Sequence, residues 1–85
     1  MSQKLKRYIV TGYGVFPDDM LRYDHARIIG TCRLLDRPAF LIDGYCTETR
    51  WQSFLWACFP AREGADGWQA LVQGQWEKVD VRRTP

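Results

Sequence analysis

One histidine, His25, and two serines, Ser2 and Ser53, are all that this 85-residue chain holds of the residues most used in acid–base and serine chemistry. Neither serine lies in a G-x-S-x-G turn, so a serine hydrolase site is not expected. The three cysteines, Cys32, Cys46 and Cys58, are 14 and 12 positions apart and form no C-x-x-C pair. With a single histidine beside them they do not make a zinc set. They read instead as reduced, buried thiols of a cytosolic protein, and their apolar neighbours raise the thiol pKa and lower reactivity. No Gly-Lys-Ser/Thr occurs, which excludes a Walker-type phosphate loop. No apolar run approaches the ~18 residues that cross a bilayer. The opening Met-Ser-Gln-Lys-Leu-Lys-Arg lacks the apolar region of a signal peptide. A cytoplasmic protein without a membrane partner is the expectation. Net charge is also scarce, at +2 with a pI of about 8.6, which neither demands nor excludes nucleic acid.

Large rings are plentiful. Four Trp, four Tyr and four Phe give 14% aromatics within 46% hydrophobic residues. A chain this short buries only roughly 60% of the surface its unfolded form exposes, and rings supply much buried area per residue. The whole of 1–85 reads as one small domain. Half of the twelve basic residues sit near the two ends: Lys4, Lys6 and Arg7, then Lys78, Arg82 and Arg83. If the terminal strands are neighbours, these make one basic edge. The simpler account is two solvated strand edges guarded by charge.

Taken in order, Leu5 to Tyr13 reads as a strand through Tyr8, Ile9, Val10 and Thr11. Gly12 and Gly14 allow a bend. Pro17 suits a first helical position and Asp18 and Asp19 the positive end of the helix dipole, which predicts a short helix from Pro17 to His25. Arg27 to Leu35 and Ala39 to Cys46 read as a hairpin around the turn signal Asp36-Arg37-Pro38. Thr47 and Glu48 look like a helix start, and Trp51, Phe54, Leu55, Cys58 and Phe59 fall at i, i+3, i+4, i+7 and i+8, a core-facing helical stripe. Pro60 would stop that helix, with a loop from Ala61 to Gly67. Between Trp68 and Arg83 helical spacing competes with strand character. Gln73-Gly74-Gln75 favours a hairpin. The fold expected is α+β: an antiparallel sheet with two helices on one face, in the order β-α-β-β-α-β-β.

The segment from Gly12 to Asp24 concentrates two glycines, a proline and three carboxylates. Asp18 and Asp19 point about 100° apart on a helix, and Asp24 lies off their face, so the three do not share a metal easily. Helix-dipole charges and an Asp18–Arg22 pair at i, i+4 are the simpler account. Gly12-Tyr13-Gly14 begins a G-x-G-x-x-G pattern, but Pro17 stands where the third glycine belongs. His25 with a cysteine would be a nucleophile–base pair, yet no cysteine signature surrounds any of the three. No catalytic residue, metal site or cofactor is assigned. Tyr8, Tyr13, Tyr45, Trp68 and Trp76 could stack bases beside basic residues, although a small core needs rings as well. Trp56 lies off the helical stripe and is expected to be exposed, as in a protein–protein hot spot.

The run Phe16-Pro17-Asp18-Asp19-Met20-Leu21-Arg22-Tyr23-Asp24 resembles a signature, F-P-x-D-M-L-R-Y-D, of small uncharacterised proteins carried by phages, plasmids and integrated elements of bacteria. With Gly12-Tyr13-Gly14 it covers about a seventh of the chain. The resemblance implies a context in which such proteins bind host proteins, including nuclease or defence complexes. The function expected is therefore non-catalytic protein–protein binding, as a modulator of a host process. Its contacts would be Asp18, Asp19, Arg22, Tyr23, Asp24 and Trp56, and a homodimer through an open sheet edge is a further expectation. The alternative is nucleic-acid binding by Lys6, Arg7, Lys78, Arg82 and Arg83 with the sheet aromatics. A buried Tyr–Asp–Arg network would account for the motif without any partner.

Overall fold

The computed structural model describes residues 6–12, 26–44 and 56–84, and every regular element among them is a strand. These are β1 (Lys6–Gly12), β2 (Arg27–Leu34), β3 (Arg37–Gly44), β4 (Trp56–Gly64), β5 (Gly67–Val72), β6 (Gln75–Val79) and β7 (Arg82–Arg83). They form one antiparallel sheet in the order β6-β5-β4-β1-β3-β2-β7. The expected α+β arrangement with two helices on one face is thus overturned by an all-strand sheet among the described residues. The predicted helix from Pro17 to His25 lies outside those residues, as does the stretch of the second predicted helix from Thr47 to Leu55.

The last four residues of that helix, Trp56 to Phe59, are the start of β4, which also takes in Pro60 and part of the expected loop from Ala61 to Gly67. Trp56-Ala57-Cys58-Phe59-Pro60 pairs first with β1, from Gly12↔Trp56 to Tyr8↔Pro60. The same strand then pairs with β5, from Ala61↔Ala70 to Gly64↔Gly67. Trp56 and Cys58 pack on one face of the sheet, Phe59 and Ala61 on the other. A strand buried on both faces is a continuous apolar run, and such a run matches helical spacing by coincidence. Pro60 does not stop a helix. It occupies the last place in the β1 ladder, where β4 changes partners and a missing donor costs least.

Three two-residue turns set the register, and two of them have left-handed residues at their centre. Leu34 pairs with Arg37, leaving Leu35 and Asp36 to turn with φ of 54° and 60°. Val72 pairs with Gln75 around Gln73 (φ 50°) and Gly74 (φ 79°). Left-handed φ at both central residues is the hairpin turn whose twist matches the strands. The expected turn at Asp36-Arg37-Pro38 is therefore displaced, and Pro38 belongs to β3 opposite Arg33. Its carbonyl accepts a 2.8 Å hydrogen bond from the Thr11 hydroxyl, which satisfies a side chain only 1% exposed. The hairpin expected near Gly74 is present as β5–β6.

The sheet curls into a partial barrel. One cluster, Ile9, Leu34, Ala39, Leu41, Trp68, Ala70, Val72 and Val79, draws on β1, β2, β3, β5 and β6 and fills the concave side. A second, Tyr8, Val10, Ile42, Trp56 and Cys58, lies on the convex side of β1, β3 and β4. Only Asp80 and Val81 separate β6 from β7, yet these strands stand at opposite edges of the sheet. The chain therefore runs from one edge to the other and brings the edges together. Gly30 makes that possible: a Cβ there would sit 2.6 Å from Val81 Cγ1 and 3.0 Å from the Arg82 carbonyl oxygen. Gly30 pairs with Arg83, and the Thr84 N–H donates to the Ile29 carbonyl at 3.2 Å.

Candidate functional site

Strand direction places the start of β1, β2 and β5 and the end of β3 and β4 at one mouth of the curled sheet. Side chains there are charged, because the apolar filling stops one residue short. Arg7 (β1) and Arg27 (β2) each face Asp43 (β3) as a cross-strand partner. Arg7 Nε lies 3.4 Å from Asp43 Oδ1, and Arg27 Nη2 lies 3.9 Å from Oδ2. The Asp43 side chain is only 7% exposed, whereas the two arginines are 48% and 76% exposed. Burying a carboxylate is costly unless it is paired, and the two guanidiniums provide that pairing. The Arg7 guanidinium also lies 5.4 Å from the ring centroid of the buried Trp68, within cation–π range. Across the mouth, Arg83 Nη2 of β7 reaches Glu63 Oε2 of β4 at 3.3 Å. Arg7, Asp43, Ala61, Arg62 and Glu63 line a cleft of about 330 Å³ at this point.

The convex side of β4, β5 and β6 carries a different set. Arg62, Gln69 and Lys78 form a row across the three strands. Arg62 Nε donates to Gln69 Oε1 at 2.8 Å, and its guanidinium stacks 4.0 Å above the Trp76 ring. Trp76 is 37% exposed and, among the described residues, is one of two large apolar side chains in the open, the other being Leu35 at the β2–β3 turn. An arginine held by both a side-chain amide and a ring has lost much of its freedom before any partner arrives, which lowers the entropic cost of binding.

The residues singled out by sequence fare unevenly. Asp18, Asp19, Arg22, Tyr23 and Asp24 lie outside the described residues. Trp56 is 5% exposed, so the expectation that it stands open to a partner is corrected: β4 is a strand here, and its alternation turns Trp56 into the convex cluster. Tyr8 and Trp68, considered as stacking platforms, are also buried. The two basic segments do not form one sheet edge, since β1 is central and β7 pairs with β2. They converge instead at the mouth, where Arg7 lines the cleft beside Glu63 and Arg83 bonds that same glutamate. Lys6 lines an adjoining cleft with Arg7 and Pro60, Lys78 belongs to the convex row, and Arg82 lines a third cleft with Cys32 and Asp80. Asp43, Glu63, Arg27 and Arg62 were not legible as site residues. Their common signal is a charge close to the end of a strand: Arg27 opens β2, Asp43 is next to last in β3, and Arg62 and Glu63 stand near the end of β4.

Among the described residues no group of three or more His, Cys, Asp or Glu is placed to hold a metal ion. Burial pushes the Cys32 thiol up to about 11, the wrong direction for a nucleophile. No helix among the described residues is long and apolar enough to cross a membrane. Comparison with protein-family models, with curated proteins and with solved structures finds no match.

Proposed function

We propose that the protein acts by binding another protein, without catalysis, and that the convex face of β4, β5 and β6 carries the contact. The observation behind this is the exposed Trp76 with Arg62 stacked on it and locked by Gln69. Trp and Arg are enriched among the few residues that carry most of the binding energy of protein interfaces. A modulator of a host process or defence complex is the form this takes in the setting that the Phe16–Asp24 run implies. Arg22, Tyr23 and the neighbouring aspartates remain contact candidates on that ground. Association with a second copy through the edge of β6 is less favoured: the edge is five residues long and carries Glu77 and Lys78, the kind of short charged edge that resists pairing.

Nucleic-acid binding has less behind it. Single strands are held by several bases stacking in succession on open rings, but Tyr8 and Trp68 are buried and Trp76 already carries Arg62 on its ring. The arginines at the mouth are interleaved with Asp43 and Glu63, which would repel phosphates. The test is a tagged pull-down from source-cell lysate, with and without nuclease, using the natural sequence and Trp76→Ala. A stoichiometric protein retained after nuclease and lost with Trp76→Ala supports the reading. Captured material that vanishes with nuclease overturns it in favour of nucleic acid. Equal capture by both proteins removes the convex face from the account.

A further inference from the structure

We infer that the charged mouth is a binding site for a carboxylate group, with Arg7 as the principal ligand. Three guanidiniums, Arg7, Arg27 and Arg83, surround two carboxylates, Asp43 and Glu63. Arg62 lines the same cleft and Lys6 the adjoining one, so positive charge is in excess. The ion pairs are 3.3 to 3.9 Å long, whereas an optimal charge-assisted hydrogen bond is about 2.7–2.9 Å. The internal pairs thus hold the arginines in place without using them fully. Arg7 spends its Nε on Asp43, which leaves the Nη1/Nη2 end of the guanidinium for a second partner. That end offers two parallel N–H donors, the geometry that matches the two oxygens of a carboxylate.

The site is also pre-organised. Arg7 is fixed from one side by the buried Asp43 and from another by the Trp68 ring. It lines two adjoining clefts, one with Asp43 and Glu63 and one with Lys6 and Pro60, so a ligand has room on either side of it. Geometry selects the ligand. A phosphate dianion would bring both its charges close to Asp43 and Glu63. A carboxylate brings one charge and a planar pair of acceptors that matches the free end of the Arg7 guanidinium. The source is either an aspartate or glutamate side chain of a protein segment or a chain's terminal carboxylate. This inference rests on Arg7, Arg27 and Arg83, which approach Asp43 and Glu63 from the concave side, and shares with the Trp76 face only Arg62 in the lining of the cleft.

The test is NMR titration of the full chain, following the Nε–H signals of its arginines. The probes are N-acetyl-glutamate amide, an N-acetylated alanine peptide with a free C-terminus, inorganic phosphate and chloride. Saturable shifts of the Arg7 and Arg83 signals with either carboxylate probe, at concentrations at least about tenfold below those needed for phosphate or chloride, are expected from fork-to-carboxylate pairing. The probe that binds more tightly identifies a side chain or a chain terminus as the source. Arg7→Lys keeps the charge and loses the fork, so it should weaken carboxylate binding about tenfold or more while the remaining spectrum stays in place. Arg83→Gln, at a 70% exposed side chain, should weaken it without touching the Arg7–Asp43 pair. Shifts that do not saturate, that phosphate or chloride produces equally, or that persist unchanged in both variants overturn the assignment.

Discussion

The convex side of the sheet is two surfaces with opposite fates. Over β1, β3 and the first half of β4 it is core: Tyr8, Val10, Ile42, Trp56 and Cys58 are all 6% exposed or less. Over β5, β6 and the second half of β4 it is surface, with Arg62, Gln69, Lys78 and Trp76 facing out. Pro60 marks the border, since β4 leaves β1 and joins β5 there. Two tryptophans on one side of one sheet therefore do different jobs. Trp56 holds the fold together, and Trp76 is available for contact. Residue type does not distinguish them, but the neighbours across the ladder do: Gly12 and the β1 strand beside Trp56, Leu71 and the stacked Arg62 beside Trp76.

The sharpest way to break this comparison is to remove each ring in turn. Trp56→Ala is expected to cost about 3–5 kcal/mol, the range for a large buried ring, with a falling urea midpoint as the readout. Gly30→Ala tests the closure on which the concave cluster depends. The added Cβ meets Val81 and a main-chain carbonyl, so a loss of about 1–3 kcal/mol is expected, as for overpacking. A thermal melt that matches the natural protein would show that β7 can give way at no cost. Trp76→Ala should shift stability by only about 0.5 kcal/mol, because its partner row is solvated. A loss as large as that of Trp56→Ala would erase the distinction between the two surfaces.

At neutral pH the smallest effect on stability comes from the Cys32 thiol, whose contribution changes only near pH 9 and above. Burial raises the Cys32 thiol from 9.0 to about 11. Between those values the folded chain holds a proton that the unfolded chain releases, so stability is full below pH 9 and declines as pH rises towards 11. At pH 8 a thiol shifted this far carries about a hundredfold less thiolate than an ordinary one. Alkylation of Cys32 should be correspondingly slow in the folded protein and speed up on adding denaturant. Labelling at the rate of a small thiol would contradict the burial.

Sequence made the sheet largely legible and the candidate site hardly at all. Tyr8 to Thr11, Ile28 to Leu34 and Ala39 to Asp43 announce themselves as strands through β-branched and aromatic content, and Gly74 announces the β5–β6 hairpin. β4 was hidden because both its faces are apolar, so Cys58 and Phe59 suit a helix stripe as well as a strand. The two-residue β7 is too short for any periodicity. The mouth was hidden for another reason. Arg7, Arg27, Asp43, Glu63 and Arg83 are scattered along the chain, and only register brings them together. A one-residue slip would send Asp43 to the other face, so the cluster exists only in the register that the turns and the apolar pattern fix together.

The approach of Gly30 to Arg83 also has a consequence in time. The hairpins β2–β3, β4–β5 and β5–β6 close over two-residue turns, whereas this pair joins positions 53 apart. Local contacts form early and distant ones late. The hairpins would then assemble first and β7 would act as a latch fastened after the rest. Weakening a latch that is absent from the rate-limiting ensemble leaves the folding rate nearly unchanged and quickens opening. In stopped-flow traces, Gly30→Ala should steepen the loss of signal on dilution into urea and barely alter refolding. The lifetime of the folded chain would then rest on a hydrogen atom where every other amino acid has a carbon.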